Sequence, residues 1–197
     1  DITVTSLAKA QVLAFPGYTS ADQSIGTGTL SFAFGTWTSG SFTSNGTTKN
    51  VTISSGNGTL EGIAASINDA NIGVTASVVK EADNSFHLML KSSDGLANAM
   101  QISVTEDNAG ENLDQLAYTS YDSSRELVAA ANATLTIDGV AATRASNSVT
   151  DVINGVTLKL NSTTSSAENI SARFDTTTAL TAAEGFVAEL NSLVMLL

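Results

Sequence analysis

Hydrophobic positions recur along this chain with two different periods, and the changes of period mark its elements. Leu60, Ile63, Ala64 and Ile67 fall at the i, i+3, i+4, i+7 spacing of one helix face, while Glu61, Ser66 and Asp69 fall elsewhere. The stretch from Thr59 to Gly73 therefore predicts a short amphipathic helix. Thr59 is placed to accept a hydrogen bond from the first turn, Glu61 sits at the positive dipole end, and Asn71 or Gly73 supplies the left-handed stop. Directly after it, Val74 to Val79 alternates, Asp83-Asn84-Ser85 turns, and Phe86, Leu88 and Leu90 alternate with His87, Met89 and Lys91. A helix followed by a hairpin predicts a helix lying on an antiparallel sheet, an arrangement that carries no function by itself.

The other segments carry the period of two until the C-terminal one. Ile2, Val4 and Leu7 predict a strand running into Ala8 to Ala14, whose pattern fits strand or helix, and Phe15-Pro16-Gly17 then turns. Leu30, Phe32 and Phe34, and later Val51 and Ile53, predict two strands. Between them, Gly35 to Asn50 is rich in Ser, Thr and Gly and reads as a long connection that Trp37 and Phe42 pack down. Met100 to Val104 predicts another strand, and Glu106 to Ser124 is acidic, turn-rich and almost aperiodic. Ala133, Leu135 and Ile137 lead to Asp138-Gly139, a hairpin signal, with Val140 to Ala145 as the return. Ser148-Val-Thr-Asp151 has capping-box spacing, which predicts one helical turn over Val149 to Ile153 before Gly155. Val156, Leu158 and Leu160, then Ile170, Ala172 and Phe174, predict a last pair of strands. After Asp175, Ala179, Ala183, Phe186, Leu190, Leu193 and Leu197 are spaced four, three, four, three, four, an a/d seam. The alternative is an ordinary C-terminal helix docked on its own sheet.

Composition narrows the partners. With 197 residues the chain is long enough for one large domain or two small ones. Its charged fraction of 14% and net charge of -11 give a polar, acidic surface that nucleic acid and anionic membrane would repel, so the expected partner is protein. Cysteine is absent, which excludes disulfides, thiolate nucleophiles and Cys-based metal sites. No apolar run approaches the roughly 18 residues of a membrane span. The chain starts without Met or a signal-peptide pattern and stops in mid-pattern at Val194-Met-Leu-Leu197, and is read as an excised fragment.

Reactive chemistry is scarce. His87 is the single histidine and reads as a solvated strand residue rather than a catalytic base. There is no Gly-x-Ser-x-Gly elbow and no phosphate loop, and Gly26-Thr-Gly28 and Gly56-Asn-Gly58 read as turns. Glu106 to Asp114 clusters oxygen ligands without the spacing of a calcium loop and reads as a solvated acidic loop. The expectation is a protein that is not an enzyme and uses no cofactor and no metal.

The run Leu60 to Val74, followed by Phe86 to Gly95, resembles the Ile-Asn motif of flagellar axial proteins, namely the flagellins and the filament cap protein. Val4 to Gln11 resembles the cap protein's approach to its head domains. Ala133 to Gly139 and Thr143 to Leu160 resemble the second half of the cap family, which flagellin does not share. Over nearly its whole length the chain thus resembles head domains of the flagellar filament cap, or hook-associated protein 2 (FliD), family. The resemblance implies a mainly β (α+β) fold of two head domains, one inserted in the other. Residues 1–24 and 125–176 would be the host, 25–124 the insert with the motif, and 177–197 the start of a coiled-coil leg helix. Ala183, Phe186, Leu190, Leu193 and Leu197 would be its seam. It further implies a secreted protein at the flagellar tip that retains exported flagellin and promotes its polymerisation, with adhesion to host mucin as a secondary role. Its partners would be other copies of itself, in a ring of about four to six, together with flagellin and the hook–filament junction proteins. Two rivals are a flagellin outer domain and a carbohydrate-binding adhesin module using Trp37 or Tyr18 as a stacking platform.

Overall fold

The computed structural model describes residues 1–171 and 177–195. In chain order the elements are β1 (Ile2–Ser6), β2 (Ala10–Ala14), β3 (Gly28–Thr38), β4 (Ser41–Ile53), α1 (Leu60–Asp69), β5 (Val74–Lys80) and β6 (Phe86–Asp94). They are followed by β7 (Ala99–Glu106), β8 (Glu126–Val128), β9 (Ala133–Ile137), β10 (Val140–Arg144), β11 (Ser148–Ile153), β12 (Val156–Lys159) and α2 (Thr177–Val194).

Alternation buries one side of each strand, and the buried sides collect into two cores. In the larger, the sheet β5-β6-β2-β8 and the sheet β4-β3-β7 are joined by α1. In the smaller, β1-β9-β10 and the hairpin β11-β12 enclose Ile2, Val4, Leu135, Val149 and Leu158.

α1 forms as its periodicity predicts. Thr59 Oγ1 accepts from the Gly62 N–H at 3.1 Å, and Asn71 and Gly73 take positive φ just past the end. Leu60, Ile63 and Ile67 are fully buried, which at ~1.5–3 kcal/mol per side chain supplies roughly 5–9 kcal/mol, several times the ~1 kcal/mol of the cap. Packing, more than propensity, therefore holds this helix.

Three segments depart from the sequence reading. Gly35 to Asn50 is no loose connection, because β3 and β4 remain paired out to Thr38 and Ser41 across a two-residue turn. Ser39 and Gly40 both take positive φ there, at 50° and 81°, the backbone twist that matches paired strands. Second, Val149 to Ile153 is a strand rather than a helical turn. Val149 pairs with Leu158 and both are buried, Gly155 (φ 75°) makes the turn, and the Asp151 carboxylate is held by Arg144 Nε at 2.8 Å instead of capping a helix. Third, the acidic stretch contributes to the larger core, with Leu113, Leu116 and Tyr118 buried around a short 3-10 turn.

The expected last strand pair also differs. β12 pairs with β11, and the segment after it returns to β1, where Glu168 and Ile2 exchange backbone bonds of 2.8 Å. Ala172 and Phe174 lie outside the described residues.

The sequence assigns residues 1–24 and 125–176 to the host head domain, whereas the two cores divide within those ranges. β2 sits between β6 and β8 in the larger sheet, and Leu13, Phe15 and Tyr18 belong to the larger core. The chain crosses between the cores at Lys9 and Ala131, whose backbones exchange bonds of 2.8 and 3.0 Å. Gly95 (φ 106°), whose N–H donates to the Lys9 carbonyl, lies against Ala145 so closely that a Cβ there would have no room.

Candidate functional site

The residues expected to mediate assembly lie on α2. Ala183, Phe186 and Leu190 are exposed, Phe186 at 69% and Leu190 at 48%, and Leu180 and Val187 add to the apolar surface at 59% and 53%. Every α2 residue whose exposure is described is open to solvent. α2 is thus not docked on either sheet along those residues, contrary to the ordinary-helix alternative. Leu193 lies on the helix by position, and Leu197 lies outside the described residues. No described helix is long and apolar enough to cross a membrane.

His87 is less solvated than its strand position predicts. Its Nδ1 lies 2.8 Å from the Phe15 carbonyl oxygen and its Nε2 lies 3.1 Å from Ser85 Oγ, with Glu81 at 3.7 Å. It fastens the tip of the β5–β6 hairpin to the Phe15–Gly17 turn. Among the described residues no group of three or more His, Cys, Asp or Glu side chains is arranged to hold a metal.

The acidic loop works as a clamp. The Glu111 carboxylate accepts from the Thr27 backbone N–H, and this bond, above the others it makes, holds its carboxyl below the usual glutamate range. Asn112 N–H donates to the Ile25 carbonyl at 2.8 Å and Asp107 N–H to the Thr27 carbonyl at 3.0 Å, which pins the start of β3.

Of the two stacking platforms weighed on sequence, Tyr18 is 6% exposed, too buried to present a face to a ligand. Trp37 is half-buried. Its indole N–H donates to the Met100 carbonyl at 2.9 Å, and its ring lies 5.0, 5.5 and 6.3 Å from Phe42, Tyr118 and Tyr121. Beside it opens a cavity of about 320 Å³ that also takes in Leu96, Ala99, Tyr121 and Glu126. Sequence reasoning found Trp37 but missed Tyr121 and Glu126; aromatic residues at 118 and 121 within an aperiodic stretch were the only signal.

A family model described as "Flagellar hook-associated protein 2 C-terminus" matches residues 130–197, and one described as "Flagellin hook IN motif" matches residues 41–94. Flagellar hook-associated protein 2 of Salmonella typhimurium is 37% identical over 147 residues, covering 73% of this chain and 31% of that protein. The Escherichia coli K12 protein of the same name is 38% identical over 105 residues, covering 51% of this chain and 22% of its own. The chain therefore spans under a third of these relatives' length. The crystal structure of the D1-D2-D3 domains of the flagellar cap protein FliD from Escherichia coli superposes with a TM-score of 0.79 at 31% identity, covering 98% of this chain and 55% of that one. FliD from Pseudomonas aeruginosa PAO1 gives 0.70 at 28% identity, covering 98% and 87%. The mainly β fold, the two sequence matches lying on α1 with its hairpins and on the smaller core with α2, and these likenesses agree: the chain belongs to the FliD, or flagellar hook-associated protein 2, family of flagellar cap proteins.

Proposed function

We propose that this chain is the head region of a cap on the distal end of a bacterial flagellar filament, outside the cell, where it retains exported flagellin and promotes its polymerisation. The observation that carries this reading is the pairing of two β-rich cores, dense with polar surface, with a helix that leaves its apolar residues uncovered. The cores form the two head domains, the larger inserted in the smaller, and α2 begins the leg.

On this reading α2 is completed by another helix of the full-length protein, and Ala183, Phe186, Leu190, Leu193 and Leu197 form the seam between them. Several copies then close into a ring through a contact between unlike faces. The work is done by protein interfaces. A cap that advances as each subunit is added needs interfaces that form and release, which suits the polar, weakly charged faces of this chain. Flagellin and the proteins of the hook–filament junction are the partners expected besides the ring itself. The match of the hook-associated protein 2 C-terminus over residues 130–197 favours the cap over a flagellin outer domain.

Complementation tests the proposal. Full-length protein containing this region should stop a cap-deficient strain from leaking flagellin monomer into the medium and should restore filaments. A correctly exported, folded protein that leaves the leak unchanged would overturn it.

A further inference from the structure

The cavity beside Trp37 is more ordered than a surface dimple. Three hydrogen bonds run in series, two of them through the Met100 backbone: Trp37 Nε1–H donates to the Met100 carbonyl at 2.9 Å, Met100 N–H donates to Gln11 Oε1 at 2.6 Å, and Gln11 Nε2–H donates to Glu126 Oε1 at 2.6 Å. Gln11 is 0% exposed, so its bond to Met100 is shielded from water, while Glu126 at the far end is half-exposed. The ring and the carboxylate, drawn from β3 and β8, are thereby fixed relative to one another. Tyr121 stands on the same side with its ring 6.3 Å from Trp37, and the Glu126 charge beside it pushes its phenol up.

We propose that this cavity binds an arginine side chain presented by a protein partner. Two aromatic side chains and a carboxylate lining one cavity attract a planar cation, because a ring face presents a negative quadrupole to it and the carboxylate accepts its N–H groups. The neutral alternative, a sugar, fits poorly. It would leave the Glu126 carboxylate without a counter-charge, whereas a guanidinium supplies one. Arg125, next in sequence, does not fill the space. Its Nη1 donates to the Gln115 and Ala117 carbonyls at 3.2 and 2.8 Å, its Nε lies 3.5 Å from Asp122, and its guanidinium sits over the Phe15 ring. The net charge of -11 draws cationic groups toward the surface at long range. The inference stands apart from the capping proposal, since it concerns what one cavity binds and not where the protein acts.

Trp37 is the only tryptophan, so its fluorescence reports on this cavity. The full chain is titrated at low salt with N-acetyl-arginine amide, with the neutral isostere N-acetyl-citrulline amide, and with methyl glucoside. The arginine amide should give a saturable change with a dissociation constant in the millimolar range, weakened about tenfold by Glu126→Gln and strongly reduced at high salt, where screening is nearly complete. Tyr121→Leu, at an exposed ring, should weaken it as well without disturbing the fold, which guards against a Glu126→Gln protein that unfolds. No saturable change, an equal response to citrulline, a saturable response to the glucoside alone, or unchanged binding in a folded Glu126→Gln or Tyr121→Leu protein would each overturn the proposal.

Discussion

Replacing Gln11 by Met isolates the value of one buried polar connection. Met fills nearly the same volume and is flexible enough to follow the same path, so the loss of packing is small. Two hydrogen bonds disappear. Met100 is fully buried, and its N–H is left with no acceptor, a desolvation cost of about 1–3 kcal/mol. Glu126 loses the Gln11 donor as well, but it is half-exposed and water replaces that bond, which holds this second loss below about 1 kcal/mol. The sum is roughly 1–4 kcal/mol, a large part of the ~5–15 kcal/mol of a typical domain. With a urea slope of about 2 kcal/mol/M this lowers the unfolding midpoint by about 0.5–2 M at unchanged slope. Trp37 fluorescence follows the transition of the larger core. Ser103→Ala, at an exposed position on β7, serves as control and should cost less than ~0.5 kcal/mol. A midpoint for Gln11→Met within about 0.2 M of the parent would refute the claim that the Gln11–Met100 bond is shielded from water.

Other outcomes follow from single contacts. Thr59→Ala removes the α1 cap and should destabilise the larger core by about 1 kcal/mol in the same urea assay. Gly35→Ala drives a Cβ into the Thr43 carbonyl and the Phe42 ring, and should cost at least about 2 kcal/mol, with faster amide exchange along β3 and β4. The Glu111 carboxyl has its folded pKa lowered chiefly by the Thr27 N–H, so the unfolded chain takes up this proton first as acid is added. Its stabilising effect is complete above the ordinary value near 4.5 and fades as pH falls through the lower folded value; protection of the Thr27 amide, taken relative to its intrinsic exchange rate at each pH, should fall in that window and lose this pH dependence in Glu111→Gln. In full-length protein, Phe186→Asp with Leu190→Asp should lower the oligomer mass measured by light scattering at matched concentration, since each change places a charge in the proposed seam.

How far the sequence discloses this fold depends on whether a residue's neighbours are near in the chain. α1 and the β5–β6 hairpin were legible because one period, one cap and one turn act within a few residues of one another. The distal part of the β3–β4 hairpin was hidden because Thr36 to Ser44 is polar or glycine on most positions, leaving no alternation to read. Its pairing is set instead by the Ser39-Gly40 turn and the Trp37–Phe42 cross-strand contact. At Ser148 to Asp151 a local capping pattern competed with pairing to β12, and burial of Val149 against Leu158 decided for the strand. The α2 helix was readable because helix period is local. The cavity at Trp37 was not, since Trp37, Leu96 and Tyr121 reach it from three distant segments and no spacing along the chain brings them together.

The crossing at Lys9 and Ala131 has a mechanical consequence. Because the outgoing and returning chains are clipped side by side by two backbone bonds, tension applied through α2 and the N-terminal strand is borne by the smaller core and never routed through the residues in between. The larger lobe hangs from that clip like a sail on a short boom. It can be buffeted by fluid or enlarged by insertions without loosening the part of the molecule that carries the load.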